Sequence, residues 1–235
     1  MNSKLLQLAA RFVALICFCC TGPASADLIT FYPTDDSDII MANPDHNNGS
    51  SSGMVVKNRY GSPYHPEYWE RDALVRFDLS SLPPDSIVTS AVMSLYYYRW
   101  KDNNPAGRLL TCYRLTSDWD EETVTWNTQP TKLASPTCSA AVPGQPGQWM
   151  EWDVTSDVDA FLTDPDVTNF GWEIMDEEVW GQVNIPMTYF YTKEYSDDHG
   201  NYTPYLTVNV VPGPATLTLL AAGALKLGRR RRRWC

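Results

Sequence analysis

Alternation of apolar and polar residues recurs along the middle of this chain, in short runs rich in Val, Tyr, Trp and Thr that are separated by turn clusters. A two-residue period marks half-buried strands. The segment 72–79 shows it most clearly: Ala73, Val75, Phe77 and Leu79 fall on one side, Asp72, Leu74, Arg76 and Asp78 on the other. The pattern predicts strands at 28–32, 38–41, 54–57, 72–79, 87–100, 109–115, 148–154, 170–175, 187–191 and 205–211, with a loop at 43–53. One short helix is predicted over 155–162. There Thr155 or Ser156 caps the first turn, Asp157 favours its positive end, and Val158, Phe161 and Leu162 share a face. About ten strands without crossover helices or an internal repeat predict an all-β fold, an antiparallel two-sheet β-sandwich of jelly-roll type with one short helix.

The two ends break this pattern. Residues 1–26 carry Lys4 and Arg11, then an apolar stretch at 12–20, then Ala24-Ser25-Ala26. That is the layout of a signal peptide with the small-x-small pattern that signal peptidase cuts. At the other end Val211-Pro-Gly-Pro214 precedes an apolar run at 215–227 and arginines at 229–233. Such a run makes roughly 20 Å of helix, short of a bilayer core of about 30 Å, and the arginines are held on the cytoplasmic side. The chain thus divides into a signal peptide (1–26), a β domain (27–211) and an apolar-basic tail (212–235). Val211, Pro212 and Pro214, followed by an apolar segment and Arg229, Arg230 and Arg231, resemble the PEP-CTERM sorting signal of Gram-negative bacteria, with Gly213 where that signal usually carries Glu. The resemblance implies transient residence in the inner membrane, processing by an exosortase, and delivery to the cell surface or extracellular matrix. A retained tail anchor is the other reading.

Charge narrows the partners. Of 18 basic residues, eight lie in the two ends, whereas all 28 acidic residues lie in the domain, giving it a formal net charge of −18. Such a surface repels nucleic acid and anionic membrane. Cys17, Cys19, Cys20 and Cys235 lie in the ends and leave Cys112 and Cys138 in the domain. In an oxidising compartment this pair reads as a disulfide around a loop of about 25 residues, although two unlinked thiols fit the sequence as well.

Candidate chemistry is sparse on the catalytic side. No nucleophile elbow, HExxH or Gly-rich phosphate loop occurs, and His46, His65 and His199 lie in polar, turn-rich stretches without ligand spacing. The chain reads as a non-enzyme. Asp35, Asp36 and Asp38, with Asp45 and Asn47, concentrate hard oxygen ligands suited to a structural calcium ion, or else to ordinary turns; a second acidic cluster follows Asp118. Sugars stack on exposed aromatic rings, and eight Trp and thirteen Tyr lie in the domain. Trp119, Trp126, Trp152 and Trp172 sit where strand packing claims them. Tyr68, Trp69, Tyr97, Trp100, Trp149 and Trp180 lie in loops or at alternating strand positions. They are the candidates for a glycan platform, with rim packing as the alternative.

Five segments, in order, resemble one family. Arg71-Asp-Ala-Leu-Val-Arg-Phe-Asp-Leu-Ser-Ser-Leu-Pro83, Ile87-Val-Thr-Ser-Ala-Val-Met-Ser-Leu-Tyr96, the pair Tyr113-Arg-Leu-Thr-Ser-Asp-Trp119 and Glu122-Thr-Val-Thr-Trp-Asn-Thr-Gln-Pro130, Trp152-Asp-Val-Thr155, and Tyr189-Phe-Tyr-Thr-Lys-Glu-Tyr195 with Pro204-Tyr-Leu-Thr-Val208 are similar to DNRLRE-domain proteins, which overlap carbohydrate-binding module family 96. The similarity implies a secreted β-sandwich of a kind often attached to polysaccharide-degrading or surface proteins. The expected function is a non-catalytic exported protein that binds polysaccharide. The alternative is a structural envelope or matrix protein that binds no glycan.

Overall fold

The alternating segments form eleven strands and one helix in this computed structural model, which describes residues 26–58, 70–83, 85–182, 184–195 and 201–213. In chain order they are β1 (Asp27–Phe31), β2 (Pro33–Ile40), β3 (Gly53–Lys57), β4 (Arg71–Phe77), β5 (Ile87–Lys101), β6 (Leu109–Arg114), β7 (Cys138–Ala141), β8 (Gln148–Asp153), α1 (Thr155–Thr163), β9 (Trp172–Met175), β10 (Met187–Tyr191) and β11 (Tyr205–Val211). The signal-peptide residues 1–25, the tail residues Pro214, Arg229, Arg230 and Arg231, and the candidates Tyr68 and Trp69 lie outside the described residues.

Every pair among the described strands is antiparallel. The strands form one hydrogen-bonded network in the order β1-β11-β5-β10-β3-β4-β9-β6-β7, with β2 on β4 and β8 on β5. The expected division into two sheets is absent among the described strands, for two local reasons. β5, fifteen residues long, pairs with β11 and β10 along one edge and β8 along the other. A single register point, Lys57 opposite Arg71, then stitches β3 to β4. One apolar cluster draws Phe31, Leu206, Leu95, Phe190, Met54, Val75, Ile174 and Leu110 from strands along the whole path. A sheet that surrounds one core with one face must curl, which is how its strand twist accumulates. The first and last described strands meet in the β1–β11 pair, and Gly213 lies against the Asp85 carbonyl. Residues 27–213 therefore contain every described strand and the core they surround.

Trp152 and Trp172 are buried in that core, as the strand pattern predicts, and each indole is satisfied: Trp152 Nε1 donates to Leu110 O at 2.9 Å and Trp172 Nε1 to Asp157 Oδ2 at 2.8 Å. A smaller cluster of Ile39, Leu74, Leu115, Trp119 and Val124, with Trp126 and Phe170 against it, covers the opposite face of β4. The loop after β6 folds over this face, so the sheet there is buried on both sides.

Three sequence expectations change. β7 was not predicted, because Cys138-Ser-Ala-Ala141 is too small and too weakly alternating to signal a strand. β2 begins at Pro33, not at 38, since the polar residues Asp35 to Asp38 pair along β4 despite low strand propensity. Val154, not Thr155 or Ser156, precedes α1. The Thr155 hydroxyl instead accepts the Ala91 N–H at 2.8 Å, tying α1 to β5, and Asp153 Oδ1 accepts the Thr155 N–H at 3.0 Å.

Candidate functional site

Strand alternation on β5 sends Ala91, Met93, Leu95 and Tyr97 into the core and Tyr96 to the outer face. On β10 it buries Thr188 and Phe190 and turns Tyr189 and Tyr191 outward. On β11 Leu206, Val208 and Val210 are buried and Tyr205 faces out; on β8 Met150 and Trp152 are buried and Trp149 faces out. Register then gathers the outward rings. Tyr96 lies directly opposite Trp149. A bulge shifts the β5–β10 register so that Tyr189 faces Arg99 while Phe190 faces Tyr97, leaving Tyr98 as the extra residue. The bulge lets Tyr98 and Arg99 both lie on the outer face.

The result is a continuous aromatic surface of eight half-buried rings: Tyr96, Tyr98, Trp149, Tyr189, Tyr191, Tyr195, Tyr202 and Tyr205. Tyr98 stacks on Tyr191 at 4.0 Å and 6°, and Tyr191 on Tyr195 at 3.6 Å and 17°. Tyr96 touches Tyr202 at 4.2 Å and Trp149 edge-on at 5.1 Å, and Trp149 meets Tyr205 at 4.8 Å. The Arg99 guanidinium lies 4.2 Å over Tyr189 and 5.6 Å over Tyr98. A Cβ on Gly53 would approach the Tyr98 hydroxyl to 3.0 Å, so the absence of a side chain there gives the ring room to lie across β3. Such a surface offers π faces to the CH faces of sugar rings, with phenol hydroxyls and one fixed guanidinium as hydrogen-bond groups.

Of the four platform candidates among the described residues, Tyr97, Trp100, Trp149 and Trp180, only Trp149 belongs to this surface. Tyr97 is corrected outright: it is 0 % exposed, packs on Phe190 in the core, and burial pushes its phenol up to about 12. Trp100 pairs with the buried Thr188, which puts it on the opposite face, where it is 39 % exposed at the rim. Trp180 lies under Arg108 at 5.4 Å; that guanidinium is held by Asp176 through bonds of 2.6 and 2.8 Å, and the Trp180 backbone N–H donates to Asn58 Oδ1. The missed tyrosines carry a signal in the sequence: Tyr189 and Tyr191 flank Phe190, and Tyr205 opens the alternation of β11.

The calcium candidates disperse. Asp35 pairs with Arg76 at 2.8 Å, which helps hold its carboxyl below the usual range against burial. Asp38 binds Arg71 and Asn48, and burial still pushes it up to about 6. Asp45 takes a bond from Asn127, and Asn47 donates to the Glu121 and Val124 carbonyls. Asp36 alone lies in a three-carboxylate group, with Glu121 and Glu194.

His46 is exposed. The buried carboxyls Asp72 and Glu173 are 1 % and 0 % exposed, beneath the smaller apolar cluster and beyond reach of a substrate. Two surface hollows, one lined by Thr137, Asp153 and Asp159 and the other by Asp35, Arg76 and Asn169, lie apart from the aromatic face.

No curated protein matches the chain. The sequence profile of carbohydrate-binding module family 96 matches residues 27–209, which include all eight residues of the aromatic face. On this match, the chain belongs to carbohydrate-binding module family 96.

Proposed function

We propose that residues 27–211 form a non-catalytic domain that binds polysaccharide through the outer aromatic face. The observation that carries this reading is the continuous contact of eight half-buried rings on one face of the sheet, beside a single exposed arginine. A monomeric protein rarely leaves so large an aromatic patch partly open without a partner. Family membership supports a carbohydrate as that partner.

Stacking contacts are modest and roughly additive, so affinity falls in the range of tens of micromolar to millimolar. A domain charge of −18 favours neutral glycans, and salt relieves the repulsion of acidic ones. The ends complete the proposal: a cleaved signal peptide, a PEP-CTERM-like tail processed by an exosortase at the inner membrane, and residence on the surface or in the matrix of a Gram-negative cell. The DNRLRE-like motifs agree with an exported β domain. Affinity electrophoresis of residues 27–213 in gels containing neutral and acidic polysaccharides tests the binding. Retardation by a neutral polysaccharide supports it. Unaltered mobility in every gel favours a structural matrix protein.

A further inference from the structure

Three carboxylates from distant parts of the chain converge beside the aromatic face. Asp36 is on β2, Glu121 is in the loop after β6, and Glu194 follows β10; one oxygen from each lies within 4.8 Å of the other two. Lys193 enters the same group, its ammonium held by Glu121 Oε2 at 2.7 Å and by Glu194 Oε1. The backbone ties them further. The Asp36 N–H donates to Glu121 Oε1 at 2.8 Å, and the Lys193 N–H donates to Asp36 Oδ2 at 2.8 Å.

Two oxygens are left over. Asp36 is 0 % exposed, and its Oδ1 has no hydrogen-bond partner; Glu194 Oε2 is likewise buried and unpartnered. Asp36 is buried and Glu121, Glu194 and Lys193 are only partly exposed, so three carboxylates crowd around one ammonium. Carboxylate oxygens buried without a partner are costly, and a cation supplies the partner they lack. Hard carboxylate oxygens, without His or Cys, suit calcium, and the three carboxylates offer up to six oxygens.

We propose that Asp36, Glu121 and Glu194 bind one calcium ion, which fastens the turn after β10 to β2 and to the Glu121 loop. That turn carries Tyr195 onto Tyr191, so the ion orders part of the aromatic face without touching a sugar. The cation site stands independently of any glycan; only its effect on binding rests on the reading of the tyrosine face as the sugar site.

The test is calcium chloride added to chelator-stripped residues 27–213, followed by thermal unfolding, with terbium luminescence as a second probe sensitised by the neighbouring tyrosines. Calcium at about a hundred times its Kd should raise Tm by about 5–10 °C, and calcium should quench the terbium signal by competition. Asp36→Asn and Glu194→Gln, close in shape to the native side chains, should abolish both responses. Lys193→Met, which removes the competing ammonium, should enlarge the calcium response. No Tm shift and no terbium signal in the wild type overturns the proposal, as does a response unchanged in Asp36→Asn and Glu194→Gln. Glycan binding that persists without any calcium response sinks the cation site and spares the function; a calcium response with no polysaccharide binding does the reverse.

Discussion

Tyr98 stacks on Tyr191 with ring centroids 4.0 Å apart and planes 6° from parallel, although Tyr98 has no residue opposite it in the β5–β10 register. The bulge that removes its partner also keeps its ring on the outer face. Truncating either ring should therefore damage binding more than folding. Tyr98→Ala and Tyr191→Ala are expected to cost about 1–2 kcal/mol of stability, the scale of one or two aromatic contacts, while weakening polysaccharide binding at least tenfold. Urea unfolding and titration calorimetry on the same samples measure both.

Trp152 makes the opposite case. It is 1 % exposed, and its indole satisfies the Leu110 carbonyl. Trp152→Ala should cost about 3–5 kcal/mol by cavity formation and leave an unpaired carbonyl. Any loss of glycan binding should vanish when the variant is assayed at a temperature where it is folded. Denaturant midpoints with and without polysaccharide separate the two effects.

Cys112 and Cys138 are directly opposite one another on β6 and β7, and both are free thiols in this structure. Opposed antiparallel residues lie at Cα separations that a disulfide accepts. Oxidative export should join them without moving either strand. The bond should add about 3 kcal/mol for a loop of about 25 residues. Peptide mapping of non-reduced, exported protein checks the bond, and Tm with and without reductant checks its weight. Two alkylatable thiols in that protein would contradict the expectation.

Stability should fall as pH rises. Asp72 and Glu173 lie diagonally across β4 and β9, since Glu173 pairs with Leu74. Burial and the neighbouring Glu173 hold the Asp72 carboxyl well above the usual range; burial also raises Glu173, against the pull of Lys132 at 2.7 Å. A raised carboxyl binds its proton more tightly in the folded chain. The stability it lends is complete below the unfolded value of about 4 and is lost as pH climbs toward the folded value. Asp38, pushed up to about 6, acts in the same direction up to that pH. In chelator, Tm should decline from pH 5 to pH 8, and Asp72→Asn should flatten the decline. A Tm that rises over that interval contradicts this.

The strands were legible because their inward positions are apolar and alternate. Ala73, Val75 and Phe77 on β4, and Trp152 on β8, fall inside as the pattern predicts. The sheet's continuity was not legible, because it depends on one contact, Lys57 with Arg71, that no local pattern encodes. The aromatic face was half legible. Among Tyr96, Tyr97 and Tyr98, composition cannot say which ring faces out, and the bulge that adds Arg99 to the outer face beside Tyr98 has no sequence signature. The carboxylate group was hidden for a different reason. Asp36, Glu121 and Glu194 are brought together only by long-range folding, whereas Asp35, Asp38 and Asp45 are dense in sequence and find protein partners of their own.

The most direct test of polysaccharide binding by the outer aromatic face compares two sets of variants of residues 27–213 against one neutral polysaccharide, by affinity electrophoresis and calorimetry. One set truncates outer rings: Tyr96→Ala, Tyr191→Ala and Trp149→Ala. The other truncates aromatic residues away from that face: Trp100→Ala and Trp180→Ala. Retention by the wild type, lost in the first set and kept in the second, is the expected result. Equal retention in both sets, or none by the wild type, would contradict it.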